Sequence, residues 1–283
     1  MNTAASSQTF CGARFAATLR RDWRMERSAW GVRFLAMFGV LVLFVLVTSW
    51  FVHKVVPEES EPYYGSTVYI DGIEKIGLAF VCYFFLSIFI SLGASLFHSG
   101  YGTAGQRLNE LMNPASTLER FASRFVICII GVTVAYGLCW ELADWTRVLV
   151  MHLFDRPAAP HVGFFETFGV VSSKTGYITG LIICGTACSQ ASYALGSTIW
   201  PKLSFLKTFA AMFVVQSIYG MAIGYAMSYF LAAHIGSGDV ISAPAIHTSM
   251  GYTILLVGSV VWSLFCYITA YFRMREDEII DRM

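Results

Sequence analysis

The sequence predicts an all-α, polytopic integral membrane protein with six transmembrane helices and an N-terminal interfacial amphipathic helix. Of its 283 residues, 56% are hydrophobic and 13% are charged, whereas soluble proteins carry about a quarter charged residues. Several apolar runs reach the roughly 20 residues that a membrane-crossing helix needs. The predicted spans cover residues 34–52, 77–97, 124–145, 177–199, 208–233 and 250–272. The third extends beyond its uncharged run, which ends before Glu141.

The residues ahead of the first span predict a helix that lies in the membrane interface. Between Phe10 and Gly31 the apolar side chains share one helical stripe and the arginines occupy the remaining arc, a pattern typical of interfacial helices. The stripe consists of Phe15, Leu19, Trp23 and Trp30, with Glu26 intruding on it. We therefore divide the chain into a cytosolic start with this helix (1–33), a six-span domain (34–272) and a cytosolic tail (273–283).

The distribution of basic residues predicts the orientation. With the N-terminus inside, 14 of the 19 Lys and Arg residues fall in cytosolic segments. Positive residues favour the cytosolic side of a membrane protein. Both termini are therefore expected in the cytosol.

A polar stretch, Gln106–Arg124, separates the second and third spans. Within it, Ser116 and Glu119 have the spacing of a capping box, in which each side chain binds a free backbone N–H of the other residue. Pro114 lies just ahead, a position that favours a helix start. The spacing predicts a hinged loop whose helix runs directly into the third span; an ordinary capped linker is the alternative.

The same stretch resembles the signature of the type-2 ABC-transporter permeases. The matching residues are Glu110-Leu-Met, Pro114-Ala-Ser, Leu118-Glu-Arg-Phe and Ser123-Arg124. The family form is Leu-Pro-Ala-Ser-x-x-Glu-Lys-Phe, so that Asn113 departs from it and Arg120 replaces Lys. The resemblance covers about twenty residues. It implies a separate cytosolic P-loop ATPase and a second permease copy or paralogue. The residues expected to couple to the ATPase are Arg107, Glu110, Pro114, Ser116, Glu119 and Arg120.

Small residues recur every fourth position in the fourth and fifth predicted spans. Such stripes let helices approach closely in a bilayer. They favour packing within the chain, with a subunit or translocation interface as the alternative. The residues expected to pack are Gly180, Cys184, Cys188, Ser192, Gly220 and Gly224.

Three charged residues follow the third apolar run at a spacing of three, which places Glu141, Asp144 and Arg147 on one helical face. The pattern favours a solvated extension of the helix beyond the membrane over a charged vestibule.

Motifs for catalysis and for nucleotide binding are absent from the sequence. It contains no Gly-Lys dipeptide, so it cannot form a P-loop, and no His-Glu-x-x-His zinc motif. The apolar runs hold no Asp, Glu, Lys or Arg, whereas ion-coupled carriers usually place such groups at membrane depth. We expect no enzymatic activity, no cofactor or metal and no nucleic-acid partner.

These observations favour a permease subunit of an ATP-driven transporter, an exporter by preference, in a bacterial cytoplasmic membrane. The alternative is a membrane scaffold or a regulatory subunit of a membrane complex. An integral-membrane enzyme that uses Glu141, Asp144 or Asp155 is the less favoured third option.

Overall fold

The chain is helical in the computed structural model, which describes residues 10–55, 66–99, 105, 112, 115–154, 160–172, 176–200, 202–235 and 248–280. No strand occurs among these residues, in agreement with the predicted all-α class. The helices are α1 Gly12–Val55, α2 Ser66–Ser95, α3 Thr117–Phe125, α4 Val132–Leu153, α5 Phe164–Ser172, α6 Gly176–Ile199, α7 Ser204–Ile235 and α8 Thr248–Ile280.

Helix α1 combines two segments that the sequence pattern separates. It runs for 44 residues without a break at residue 33, which corresponds to about 66 Å at 1.5 Å per residue. The predicted interfacial helix is therefore the first half of the same helix as the first predicted span. That this first half lies in the plane of the membrane interface stays a prediction.

Helix α3 begins at the predicted capping box. The Ser116 hydroxyl accepts a hydrogen bond from the Glu119 N–H, and the Glu119 carboxylate accepts one from the Ser116 N–H. A π-helical segment, Val126–Gly131, then connects α3 to α4. Helical backbone therefore continues from Thr117 to Leu153, so the prediction of a helix that runs from the cap directly into the third span is confirmed.

The hydrophobic core is formed mainly by α1, α2 and α4. Leu41 and Val45 from α1, Leu78 from α2 and Tyr136 from α4 are among its fully buried side chains. Tyr136 also donates a 2.6 Å hydrogen bond to the carbonyl oxygen of Cys82 in α2. Helix α6 packs against α2 and against α8.

Within the described residues, four helices are long and apolar enough to cross a membrane. They cover Gly12–Lys54, Gly72–Ser95, Thr117–Leu153 and Leu255–Glu276. The remaining two predicted spans lie within α6 and α7, whose side chains are described only in part. A membrane protein is therefore supported, whereas six crossings stay a prediction.

The small-residue stripe of α6 faces neighbouring helices of the same chain where its surroundings are described. A Cβ atom on Gly180 would lie 3.6 Å from Leu256 of α8, an ordinary contact distance. Ser192 accepts a 3.0 Å hydrogen bond from the Trp262 indole of α8. Cys184 and Cys188 are half-buried. The surroundings of Gly220 and Gly224 in α7 lie outside the described part of the chain.

Candidate functional site

The capping box is also a contact between distant parts of the chain. Besides the Ser116 N–H at 2.9 Å, the Glu119 carboxylate accepts the N–H of Cys11 at 2.7 Å. Arg14 of α1 lies 3.2 Å from the same carboxylate oxygen. One carboxylate thus caps α3 and binds the first turn of α1.

Two further contacts continue along the same pair of helices. Ser123 donates a 2.7 Å hydrogen bond to Asp22, and Arg124 donates one of 2.7 Å to Glu26. Glu26 also pairs with Arg33 at 3.3 Å. We call this set the α1–α3 junction; it comprises Cys11, Arg14, Asp22, Glu26, Arg33, Ser116, Glu119, Ser123 and Arg124.

The electrostatic environment keeps Glu119 ionised. This residue lies in the polar stretch ahead of the apolar run. Burial by itself raises the pKa of the Glu119 carboxyl, but the N–H groups of Cys11 and Ser116 and the Arg14 guanidinium outweigh it, so the pKa lies below its ordinary value. These contacts therefore contribute to the free energy of unfolding near neutral pH. That contribution is lost as the pH falls through the lowered pKa of Glu119.

Burial changes the interpretation of the residues expected to couple to an ATPase. Glu119 is 0% exposed and Arg120 is 4% exposed, so their side chains contact the chain itself instead of solvent. Ser116 is half-buried and serves as the cap. Arg107, Glu110 and Pro114 lie outside the described residues.

A second polar cluster lies at the other end of α1, α2 and α4. The Arg147 guanidinium donates to Asp144 at 2.7 Å, to Glu74 at 2.8 Å and to the Pro160 carbonyl oxygen at 3.2 Å. Ser49 of α1 donates a 2.6 Å hydrogen bond to Glu74. Arg147, Asp144 and Glu74 are each 0% exposed. This cluster joins α1, α2 and α4 through charged side chains.

The cluster also holds the segment that leads into α5. Asp144 accepts the Val162 N–H at 2.7 Å, and Glu141 accepts the Phe164 N–H at 2.7 Å. His161 Nε2 lies 3.0 Å from Glu141 and its Nδ1 lies 2.8 Å from Asp144, although Nδ1 is not aligned for a hydrogen bond. We call the whole cluster the Arg147 network; it comprises Ser49, Glu74, Glu141, Asp144, Arg147 and His161.

The interpretation of this region as a solvated helix extension is wrong for Asp144 and Arg147. Charged groups this deeply buried are tolerated only when they are paired and hydrogen-bonded, and here Glu74 and the backbone of residues 160–162 supply the partners. Glu141 is more exposed than the other two. No metal-binding group of three His, Cys, Asp or Glu side chains occurs in the described part of the chain.

The two clusters are separated by roughly the thickness of a bilayer. From Glu26 to Ser49 along α1 is 23 residues, or about 35 Å of helix. From Arg124 to Asp144 is 20 residues, or about 30 Å. The hydrocarbon core of a membrane is about 30 Å thick. The apolar core thus lies between two polar belts at a spacing that suits a membrane-embedded bundle.

Sequence reasoning missed Glu74, His161 and Asp22 and did not predict that Arg147 is buried. Local signals are nevertheless present for Arg147 and for Asp22. Trp140, Ala143 and Arg147 continue one helical face from the apolar run, and such a face is expected to stay buried. Thr18, Asp22 and Glu26 recur every fourth residue, which makes a polar stripe for a partner helix. Glu74 and His161 carry no comparable signal.

Comparison with models of known protein families, with curated proteins and with solved structures finds no match to this chain. The arguments for its function therefore rest on the residues themselves and on the geometry of the two clusters.

Proposed function

We propose that this chain is the membrane-spanning permease subunit of an ATP-driven exporter, energised by a separate cytosolic ATPase. The proposal begins from the resemblance of Pro114-Ala-Ser-Thr-Leu-Glu-Arg-Phe to the type-2 ABC-permease signature. A second copy of the chain or a paralogue would complete the conduit. A bacterial cytoplasmic membrane, six spans and cytosolic termini are part of the same proposal.

The observation that carries the proposal is the continuous helical backbone from Thr117 to Leu153, which includes the π-helical segment Val126–Gly131. An ATPase moves a membrane conduit only if the cytosolic element that it contacts is joined rigidly to a span. The capping box defines where this helix begins, and the α1–α3 junction ties its start to α1. A displacement at Ser116 would therefore reach two membrane-length helices together.

Burial of Glu119 and Arg120 refines where the ATPase would bind. Because both side chains contact the chain itself, we assign direct contact with the ATPase to the preceding residues, including Arg107 and Glu110. Glu119 and Arg120 then transmit movement to the spans without touching the partner.

The same burial favours the second candidate, a membrane scaffold or regulatory subunit. A motif whose charges already bind α1 has a structural role that requires no ATPase. Co-purification separates the two candidates: a permease retains a P-loop ATPase when isolated from its native membrane, and a scaffold retains other proteins instead.

Removal of the cap tests the coupling role. We expect Ser116→Ala with Glu119→Ala to insert normally but to reduce the activity of the co-purified ATPase by about fivefold or more, because a helix cap contributes about 1 kcal/mol and the contacts of Glu119 with Cys11 and Arg14 are lost as well. The measurement is ATP hydrolysis in proteoliposomes, with membrane abundance measured in parallel. Glu166→Ala, an exposed acidic residue in α5, is the matched control. Full ATPase activity in the double variant would reject coupling through α3.

Thiol labelling tests the orientation. Cys11 is exposed, and hydrogen bonds from the N–H groups of Arg14 and Ala13 lower the pKa of its thiol, which favours the reactive thiolate. We expect an impermeant maleimide to label Cys11 in inside-out vesicles but not in intact cells. Cys11→Ser provides the background from the remaining cysteines. Labelling of Cys11 in intact cells would place the N-terminus outside.

A further inference from the structure

An open groove of about 600 Å³ lies beside the α1–α3 junction. Its walls come from α1, from the end of α2 and from the connection between α6 and α7. We propose that this groove binds an anionic phospholipid of the bilayer, with an acyl chain along the apolar walls and the phosphate at Arg33. The inference does not depend on whether the chain is a transporter.

The walls have the composition that an acyl chain requires. Met37, Leu92, Leu96 and Phe205 are among the apolar side chains that line the groove. Water in the groove would form no hydrogen bonds with such apolar walls. If the groove were empty, the wall side chains would lose their dispersion contacts on that side. Lipid tails are as apolar as leucine side chains, so a chain in the groove restores these contacts.

The rim of the groove carries basic side chains. Arg33 lies on the lining, and it shares the single carboxylate of Glu26 with Arg124. Lys202 and Lys207 are exposed and flank the lining residues of the α6–α7 connection. A guanidinium binds phosphate through paired N–H donors, and anionic head groups attract basic residues at the membrane surface.

Two buried donors in the groove wall lack a partner in the described part of the chain. Trp30 Nε1 and Ser204 Oγ have no hydrogen bond there, and each side chain is 8% exposed. A buried polar atom without a partner destabilises the protein. Both atoms are closed off from solvent, so they show that the groove wall is short of acceptors without marking where a head group binds.

The lip of the groove is strained. Leu203 has a φ of 55°, in the left-handed region that non-glycine residues rarely adopt, and its side chain is 71% exposed. Such conformations cluster at ligand-binding positions. A lipid chain against Leu203 would cover an apolar side chain that is otherwise largely exposed.

The test is native mass spectrometry of the purified full-length chain with phosphatidylglycerol or phosphatidylcholine of identical acyl chains. We expect the wild type to retain phosphatidylglycerol preferentially. Arg33→Gln should reduce that preference by about fivefold, as expected for one basic charge near an anionic head group. Arg27→Gln, an exposed arginine of α1 outside the lining, should reduce the preference less than Arg33→Gln does, because its guanidinium meets head groups only at the open surface.

A second variant tests the apolar walls. Ala36 is an exposed lining residue, so Ala36→Trp should fill the groove and remove the retained lipid, whereas Leu35→Trp on the neighbouring exposed surface should not. Equal lipid retention by both tryptophan variants would overturn the proposal. A change from dimer to monomer in Ala36→Trp, without lipid loss, would instead identify the groove as a subunit interface. If Ala36→Trp does not fold, an unchanged head-group preference in Arg33→Gln still rejects the site.

Discussion

Arg147→Met is expected to abolish most of the folded protein, because it leaves Glu74 and Asp144 buried without their cation. Both carboxylates are fully buried and both accept hydrogen bonds from this guanidinium. Breaking a buried ion pair by removing one partner costs about 3–5 kcal/mol. Typical proteins have a total stability of about 5–15 kcal/mol, so this loss is severe.

The measurement is the melting temperature in detergent by size-exclusion fluorescence, together with membrane abundance. Arg147→Lys should restore the protein only in part, because an ammonium lacks the planar fork that reaches three acceptors. Neutralising both carboxylates as well, with Glu74→Gln and Asp144→Asn, should recover more stability than Lys does. Arg27→Met on the exposed side of α1 is the control. A wild-type melting temperature for Arg147→Met would show that the network contributes little.

Gly196→Ala is expected to have the second largest effect, because α6 and α7 touch at this glycine. A Cβ atom there would overlap Thr208, with the Thr208 Cγ2 and Cβ atoms at 2.7 and 2.8 Å and the hydroxyl closer still. Thr208 is β-branched and therefore has little rotational freedom in a helix. The helices would have to move apart, and overpacking of this kind costs about 1–3 kcal/mol.

The same small-residue stripe provides the control. Gly180→Ala should be tolerated, since its Cβ would meet Leu256 at an ordinary 3.6 Å. Gly185→Ala, at a position of α6 outside the stripe where a Cβ atom would meet no other part of the chain within 4 Å, should be neutral or slightly stabilising, because Ala is the better helix former. Thr208→Ala should partly rescue Gly196→Ala in the same melting assay, because it removes two of the three nearest atoms. Equal melting temperatures for Gly196→Ala, Gly180→Ala and Gly185→Ala would mean that α6 and α7 do not approach closely at Gly196.

Local features were predictable from neighbouring residues alone. The capping box at Ser116 and Glu119 needs only a hydroxyl and a carboxylate three residues apart, and the structure contains both of its hydrogen bonds. The helical class follows from long apolar runs, since a bilayer requires every backbone polar group to bond within its own segment. The small residues of α6 likewise indicated close packing, which Gly180 and Ser192 make with α8.

The environment of each charged residue was not predictable in the same way, because it depends on partners far along the chain. Glu119 binds Cys11 across 108 positions, and Arg147 binds Glu74 across 73. A spacing of three places Asp144 and Arg147 on one face, but it does not indicate whether that face meets solvent or another helix.

The sequence by itself determined the helical content and the start of α3 and indicated a membrane protein, because each depends on composition or on residues within one turn. The tertiary structure alone decided that Glu119 and Arg147 join helices instead of facing solvent. Burial depends on which helices pack together, and burial converts a charge from a solvated group into one that must be paired. Helix packing therefore brings the charged residues of these stretches together as the α1–α3 junction and the Arg147 network. These two sets of contacts link the helices at opposite ends of the apolar core.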